Sequence, residues 1–387
     1  MRRLRVLAMV GGAVVLVASW RGAALADPPR GSMFRSDPQH TGVYDGDPVR
    51  QLKAVRWRFA TGGPVETGPA VAEGVVVFGS NDDHFYALEV ATGRLKWRFR
   101  TGNDCSSSPA VAEGVVVFGS DDSFVYAVTA ATGQEKWRFK AGRDVNSGIT
   151  IVGGTVLFGS DDHHVYALDL ASGTERWRFK TNGSVAATPA SDGKIVMVGD
   201  TGGPIGKIAP FSKIGPIGKP GTFWGLDLGT GQERWRYAAQ AAIHSSAALA
   251  GGLAFFGDQK GHLYAVDAAT GQERWRFKAQ DDIRSSPAVA GDTLYVGSND
   301  DHLYAINRST GQMMWRFRTE DDVRSSPAVA GDAVYFTSED DHLYALDAGS
   351  GGLLWKYRTG KDSHSSPAVA GGAVLFGSQD GAFYALE

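Results

Sequence analysis

Eight tryptophans in register constrain this chain more than any other feature. Trp57, Trp97, Trp137 and Trp177 stand 40 residues apart, and Trp235, Trp275, Trp315 and Trp355 repeat that spacing. The step from Trp177 to Trp235 is 58 residues, so one unit carries an 18-residue insertion. A 40-residue unit with four short strand patterns is the signature of a propeller blade. The expected fold is all-β: an eight-bladed β-propeller of four-stranded antiparallel blades.

One unit shows the four strands. Ser325 to Val329, Ala333 to Phe336, His342 to Leu346 and Leu354 to Tyr357 are separated by Gly331-Asp332, Glu339-Asp340-Asp341 and Ser350-Gly351-Gly352, and such clusters mark turns. The first strand is made of small residues, as expected where blades converge on an axis. Its proline recurs at Pro69, Pro109, Pro189, Pro287, Pro327 and Pro367; a residue with no N–H to donate suits an edge strand. The second strand is almost continuously apolar, which fits burial on both faces. The fourth alternates aromatic and basic residues, so aromatics pack between blades while cations guard the outer edge. The last unit supplies only three strands, and Ala54 to Phe59 is expected to provide its outer strand and close the ring.

The N-terminus reads as a secretory signal over residues 1–26. Arg2, Arg3 and Arg5 precede the apolar stretch Val6 to Ala18, and Ala24-Leu25-Ala26 is a cleavage site with Asp27 following. The alternative is an uncleaved anchor, for which the apolar stretch is short. Residues 27–50 form a lead-in and 51–387 the propeller. The expected location is extracytoplasmic, periplasmic or secreted, with no stable membrane insertion after cleavage. A net charge of −3 with no block of like charges gives no support to a nucleic-acid partner. The single cysteine, Cys105, has no internal disulfide partner. A closed ring is stable without a partner, so a monomer is expected.

The run Gly159-Ser160-Asp161-Asp162, Val165 to Asp169, Ser172-Gly173 and Trp177 resembles the repeat of the pyrroloquinoline-quinone-like propeller superfamily. Met33 to Gly42 is similar to the lead-in that often precedes such propellers. The superfamily holds quinone-dependent alcohol and sugar dehydrogenases. It also holds non-catalytic propellers such as the lipoprotein of the outer-membrane β-barrel assembly machinery, and the chain resembles that branch most. It departs from both groups. The dehydrogenases are longer, with loops covering the cofactor, and many carry an adjacent cysteine pair, whereas Cys105 stands alone. No calcium-ligand set beside a catalytic Asp is identifiable, and no cysteine near the cleavage site could carry a lipid.

On propellers, ligands commonly sit at the channel mouth. The position just before the first strand reads Glu66, Ser106, Asn146, Ala186, His244, Arg284, Arg324 and His364 round the ring. Its four basic or titratable members on consecutive blades suggest a positively biased half-funnel. A small polyanion, an acidic peptide end or a quinone's carboxylates would fit it. The competing expectation is local pairing, because Asp282 and Asp322 lie two residues before Arg284 and Arg324. The Asp-rich loops between second and third strands read as turns, lacking the spacing of a dedicated calcium loop. His84, His164, His262, His302 and His342 follow those turns on different blades, which disfavours a shared metal, and no metal site is expected. The serine pairs of the first strands read as packing.

The insertion, about residues 201–222, repeats Gly-Pro-Ile-Gly-Lys and carries Lys207, Lys213 and Lys219 with no acid. Lys207, Phe211, Lys213 and Lys219 are candidate partner contacts; a tolerated insertion is the alternative. The favoured function is an exported, non-catalytic scaffold that binds a protein or peptide through its top face and this loop, with no cofactor. The rival is a small quinoprotein oxidoreductase with pyrroloquinoline quinone and calcium at the channel mouth, and another top-face enzyme ranks behind both.

Overall fold

In the computed structural model, which describes residues 32–203 and 220–387, the strands form eight antiparallel sheets around one axis. Blade 1 consists of Ala70–Ala72, Val75–Ser80, His84–Glu89 and Leu95–Arg100, running from the axis outwards. Blades 2 to 7 repeat it over 110–140, 150–180, 190–238, 248–278, 288–318 and 328–358. Blade 8 uses Ala368–Ala370, Ala373–Ser378 and Ala382–Leu386, and Val55–Ala60 pairs antiparallel with the last of these as its outer strand. The ring therefore closes between the two ends of the repeat array, as its sequence pattern implies. The insertion joins Ile195–Gly199 to Thr222–Asp227 in blade 4.

Strand boundaries differ in one instructive way. The innermost strand is only Ala328–Ala330 in blade 7 and begins after Pro327, so the Ser-Ser-Pro segment is the approach to the strand. The other three lengthen to Ala333–Ser338, His342–Asp347 and Leu353–Arg358.

Neighbouring blades are hooked together at both faces. The bottom face carries the turns between third and outer strands. There the Trp97 indole of blade 1 donates to the Ala130 carbonyl of blade 2 at 2.8 Å, and Trp137 donates to Leu170 at 2.9 Å. The same hook recurs from Trp57 to Val90, Trp177 to Leu228, Trp235 to Ala268, Trp275 to Arg308 and Trp315 to Ala348. Trp355 of blade 7 donates instead to Val49 of the lead-in at 2.7 Å. Seven of the rings, those other than Trp355, lie on a turn glycine: a Cβ on Gly133 would stand 2.8 Å from the Trp97 indole, and Gly133 has φ +70°. On the top face, Asp82 of blade 1 accepts from its own Tyr86 hydroxyl at 2.7 Å and from the Gly62 amide leaving blade 8 at 2.6 Å. Asp122, Asp162, Asp300, Asp340 and Asp380 repeat that clamp. Near the axis, serine hydroxyls link blades: the Ser246 amide donates to Ser286, Ser286 to Ser326 and Ser326 to Ser366, each at 3.0 Å. Those serines hydrogen-bond as well as pack.

The lead-in fills the axial channel. Inner-strand amides that would face an empty channel donate to its carbonyls: Val111 to Ser32, Ser191 to Pro38, Leu249 to Gln39, Val289 to Thr41 and Val329 to Gly42. Val43–Tyr44 then runs as a short parallel strand on blade 7. Fully buried Arg35 reaches the carbonyls of Pro327 and Pro287 at 2.5 Å each, and His40 Nε2 lies 2.9 Å from Thr150 Oγ1 of blade 3. Phe34 packs against Gly68 of blade 1 and Gly46 against Val369 of blade 8, so the segment touches all eight blades. This satisfies buried backbone groups that the innermost edges would otherwise leave unpaired.

The hook predicts a contrast between two glycines. Gly114→Ala, with φ +71° and open space around the new Cβ, is expected to cost about 1 kcal/mol for the left-handed backbone. Gly133→Ala adds overlap with the Trp97 ring and should cost roughly 1–3 kcal/mol more. Urea unfolding of both variants measures the difference, and equal midpoints would contradict the hook.

Candidate functional site

The top mouth is lined by two sets of polar side chains 15 residues apart. One set comes from the residue just before the inner strand, the other from the loop between second and third strands. On four blades the two sets pair: Asn81 with Glu66 at 3.3 Å, Ser106 with Asp121 at 3.4 Å, Asn146 with Asp161 at 3.5 Å and Gln379 with His364 at 3.2 Å. In blade 7, Arg324 meets Glu339 at 2.7 Å. Because both sets sit at strand ends of a stiff ring, their positions are fixed by the blades.

The half made by blades 6, 7, 8 and 1 is a network of ion pairs. Arg324 bonds Asp322 at 2.8 Å as well as Glu339, and His364 Nε2 lies 2.8 Å from Glu339 while its Nδ1 is 3.6 Å from Glu66. Arg284 Nε is 3.5 Å from Asp282. Burial opposes charge on His364, but its hydrogen bonds to Glu339 and Glu66 win and raise its pKa to about 9. Burial alone would raise Glu339; the hydrogen bond and charge of His364, with Arg324 and Arg284, hold it below the usual range. Burial also lifts Asp322 to about 6 against the pull of Arg324. His244 of blade 5 is driven down to about 3 by burial and by the charge of Arg284, so its imidazole is neutral.

The half made by blades 2 and 3 is acidic. Burial, then the charges of Asp144 and Asp104, raises Asp121 to about 7. Burial and Asp144 raise Asp161 to about 6 despite Arg143. Asp104 is raised by burial and by Asp83, Glu66 and Asp82. The Oδ1 atoms of Asp121 and Asp161, with those of Asn81 and Asn146, are buried and accept no hydrogen bond. The mouth is thus bipolar. Its cations are already matched by carboxylates, and its surplus is acid.

The structure brings Glu66, Arg324 and His364 into one network, places Arg284 and His244 beside it and puts Asn146 across the mouth. Ala186 adds no polar group. Glu339, Asp121 and Asp161 line the mouth although sequence reasoning read their loops as turns alone; their constant 15-residue offset from the first set was the available signal. Lys207, Phe211, Lys213 and Lys219 lie outside the described residues, as does the segment 1–26. Four of the loop histidines turn back on their own aspartates, with His84, His164, His302 and His342 within 3.0 Å of the carbonyls of Asp82, Asp162, Asp300 and Asp340. Asp301, Asp321 and Asp322 bring one oxygen each within 4.8 Å, but Arg324 and Arg318 already sit beside two of them, at 2.8 and 3.8 Å. Cys105 is fully buried, and burial raises its thiol pKa.

His364 gives a pH test. Its folded pKa lies above the ordinary 6.5, near 9. Its contribution is therefore complete below that ordinary value and is lost as pH rises through the folded one. His364→Gln should cost roughly 1–3 kcal/mol at about pH 6 and much less at about pH 10. Urea midpoints at the two pH values check this; an equal penalty at both would exclude a charged imidazole.

Solved structures share this architecture. BamB from Moraxella catarrhalis superposes with a TM-score of 0.70 at 18% identity, covering 86% of this chain and 99% of that one. A europium-containing methanol dehydrogenase gives 0.78 at 16%, covering 92% and 91%. A quinohemoprotein alcohol dehydrogenase from Comamonas testosteroni gives 0.78 at 15%, covering 94% and 81%. At these identities the likeness establishes the fold alone. No curated protein sequence matches the chain. The family profile described as outer membrane protein assembly factor BamB matches residues 53–143, 121–278 and 259–387. That span takes in every blade, and the chain belongs to this family of pyrroloquinoline-quinone-like repeat β-propellers.

Proposed function

We propose that this chain is an exported, non-catalytic propeller that binds a protein partner through its top face, with a basic side chain or terminal amine of the partner entering the acidic side of the channel mouth. The observation that carries this reading is the filled channel. With residues 32–44 packed along the axis, the mouth is a polar bowl on a solid floor. A preformed, rigid bowl loses little freedom on binding. Its surplus carboxylates, Asp104, Asp121, Asp144 and Asp161, favour a cationic group. Membership of a family described by a protein-assembly factor supports a binding role, and the Arg2 to Ala26 pattern supports export. The Lys207, Phe211, Lys213 and Lys219 loop leaves and re-enters the top face at Gly203 and Pro220, so it is proposed as a second contact for the same partner.

The quinoprotein reading draws on the dehydrogenase neighbours. The residues at the mouth do not fit a quinone with several carboxylates. Arg324 and His364 share Glu339, Arg284 faces Asp282, and the opposite wall is acidic. An anion would have to displace carboxylates from buried pairs and approach others, both of which cost energy.

Calorimetric titration with short Lys- or Arg-terminated peptides tests the proposal. Binding is expected to strengthen from about pH 5 to about pH 8, as Asp161 and then Asp121 ionise. Asp121→Asn/Asp161→Asn should weaken it about tenfold. Failure of every basic peptide, or saturable binding of pyrroloquinoline quinone with calcium that is lost in Arg284→Ala/Arg324→Ala, would overturn the reading.

A further inference from the structure

The bottom end of the outer strands divides the rim in two. Among the described residues, the large apolar side chains that stand exposed are Val55, Leu95, Met313, Met314 and Leu353, at 40 to 53% exposure. Four of them occupy one repeat position, the first residue of the outer strand, on the consecutive blades 6, 7, 8 and 1. Met314 is the next residue of blade 6. Blades 2 to 5 carry glutamate at that position, and each glutamate is ion-paired three residues on: Glu135 with Arg138 at 2.9 Å, Glu175 with Arg178 and Glu233 with Arg236 at 2.8 Å, and Glu273 with Arg276 at 2.7 Å.

These pairs show that the two positions touch. On blades 6, 7, 8 and 1 the second position is still basic, as Arg316, Lys356, Arg58 and Arg98, and all four are exposed. Each aliphatic side chain therefore stands beside a cation with no glutamate in its strand. Over their first four positions these strands hold Arg316, Lys356, Arg56, Arg58, Lys96 and Arg98 and contain no acid; Arg56 pairs outside its strand with Glu387 at 2.6 Å and Arg58 lies 3.7 Å from Asp380. Where the strand starts of blades 2 to 5 carry salt-bridged glutamates, those of this arc carry aliphatic side chains beside cations.

We propose that this arc docks the propeller on an anionic lipid surface. Charge complementarity calls for an anionic partner, and the aliphatic side chains call for one with an apolar layer beneath its charge. Basic residues interleaved with leucine-like side chains are the chemistry that settles at a bilayer interface. The apolar residues are single, aliphatic and spread over four blades at one level. A protein hot spot is instead one compact, aromatic-rich cluster, whereas a fluid, planar surface can meet separated points together. A second copy is disfavoured because pairing two such strands would bring like charges together. The arc lies at the opposite face from the channel mouth, so the proposal is independent of the peptide-binding reading.

Vesicle flotation of the chain from Asp27 tests it. The described residues from Ser32 onwards close the ring among themselves, and this start removes the apolar Val6 to Ala18 stretch from the measurement. The protein is expected to float with phosphatidylethanolamine–phosphatidylglycerol vesicles and not with phosphatidylcholine vesicles. Leu95→Glu/Met313→Glu/Leu353→Glu installs the residue that blades 2 to 5 already carry beside a basic partner, so the fold tolerates it. Partitioning should fall at least about tenfold, with an unchanged melting midpoint. Arg98→Gln/Arg316→Gln should weaken partitioning on the anionic vesicles and leave the peptide titration untouched. The proposal is overturned by absence of flotation, by equal binding to both vesicle types or by full binding of the triple variant. A dimer in solution that the triple variant dissolves would also overturn it and assign the arc to a second copy.

Discussion

The indole hook between blades is the contact on which the rest of the ring depends. A single four-stranded blade cannot bury both of its faces, and stacking against neighbours is what gives each blade a core. The hook fixes that stacking at the bottom by three linked means: an indole N–H to a backbone carbonyl, the ring on a glycine with no Cβ, and the left-handed turn that only glycine adopts cheaply. The aspartate–tyrosine clamp does the same work at the top. Two fixed points per junction leave a blade little freedom to rotate, so the residues at the mouth hold their spacing. The hook from Trp355 is the informative exception. Its acceptor is Val49, so the lead-in stands where the next blade's turn carbonyl would be, and the segment that fills the channel also completes the junction of blades 7 and 8.

Filling the channel changes what the mouth can do. An open eight-bladed ring would offer a tunnel lined by inner-strand amides. Here those amides are spent on the carbonyls of Ser32, Pro38, Gln39, Thr41 and Gly42, and the Arg35 guanidinium is held between two proline carbonyls. That leaves the top bowl and the outer surfaces open to contact with other molecules. Within the bowl, desolvation raises the value of each charge pair, which is why His364, between Glu339 and Glu66, stays protonated well above its ordinary range while His244, buried beside Arg284, does not.

The fold was readable in the sequence because the period is strict and each strand has its own composition. Trp57 to Trp355 gave the blade count, and the three-strand last unit gave the closure. Two things were not readable. The lead-in's path was hidden because its contacts are made by backbone carbonyls, which leave no mark on residue identity; only Arg35, Asp37 and His40 hint at buried polar work. The sign of the mouth was hidden because Glu339, Asp121 and Asp161 lie 15 residues from their partners, in loops where acids already make good turns. Local spacing exposed Asp282 and Asp322, two residues from their arginines, but not the cross-strand partner that decides the net charge.

A repeat protein writes its function in departures from its own repeat, and here the departures are distributed round the ring. The first outer-strand position is aliphatic on blades 6, 7, 8 and 1 and an ion-paired glutamate on blades 2 to 5. The mouth holds its surplus carboxylates on blades 2 and 3. These features lie on opposite faces and largely on opposite sides of the axis. An anionic surface that attracts the bottom arc repels Asp104, Asp121, Asp144 and Asp161, and both forces turn the molecule the same way. The acidic side of the bowl would then face away from the surface, open to a partner's basic group. One ring with a uniform skeleton acquires a direction from a few substitutions at two repeat positions.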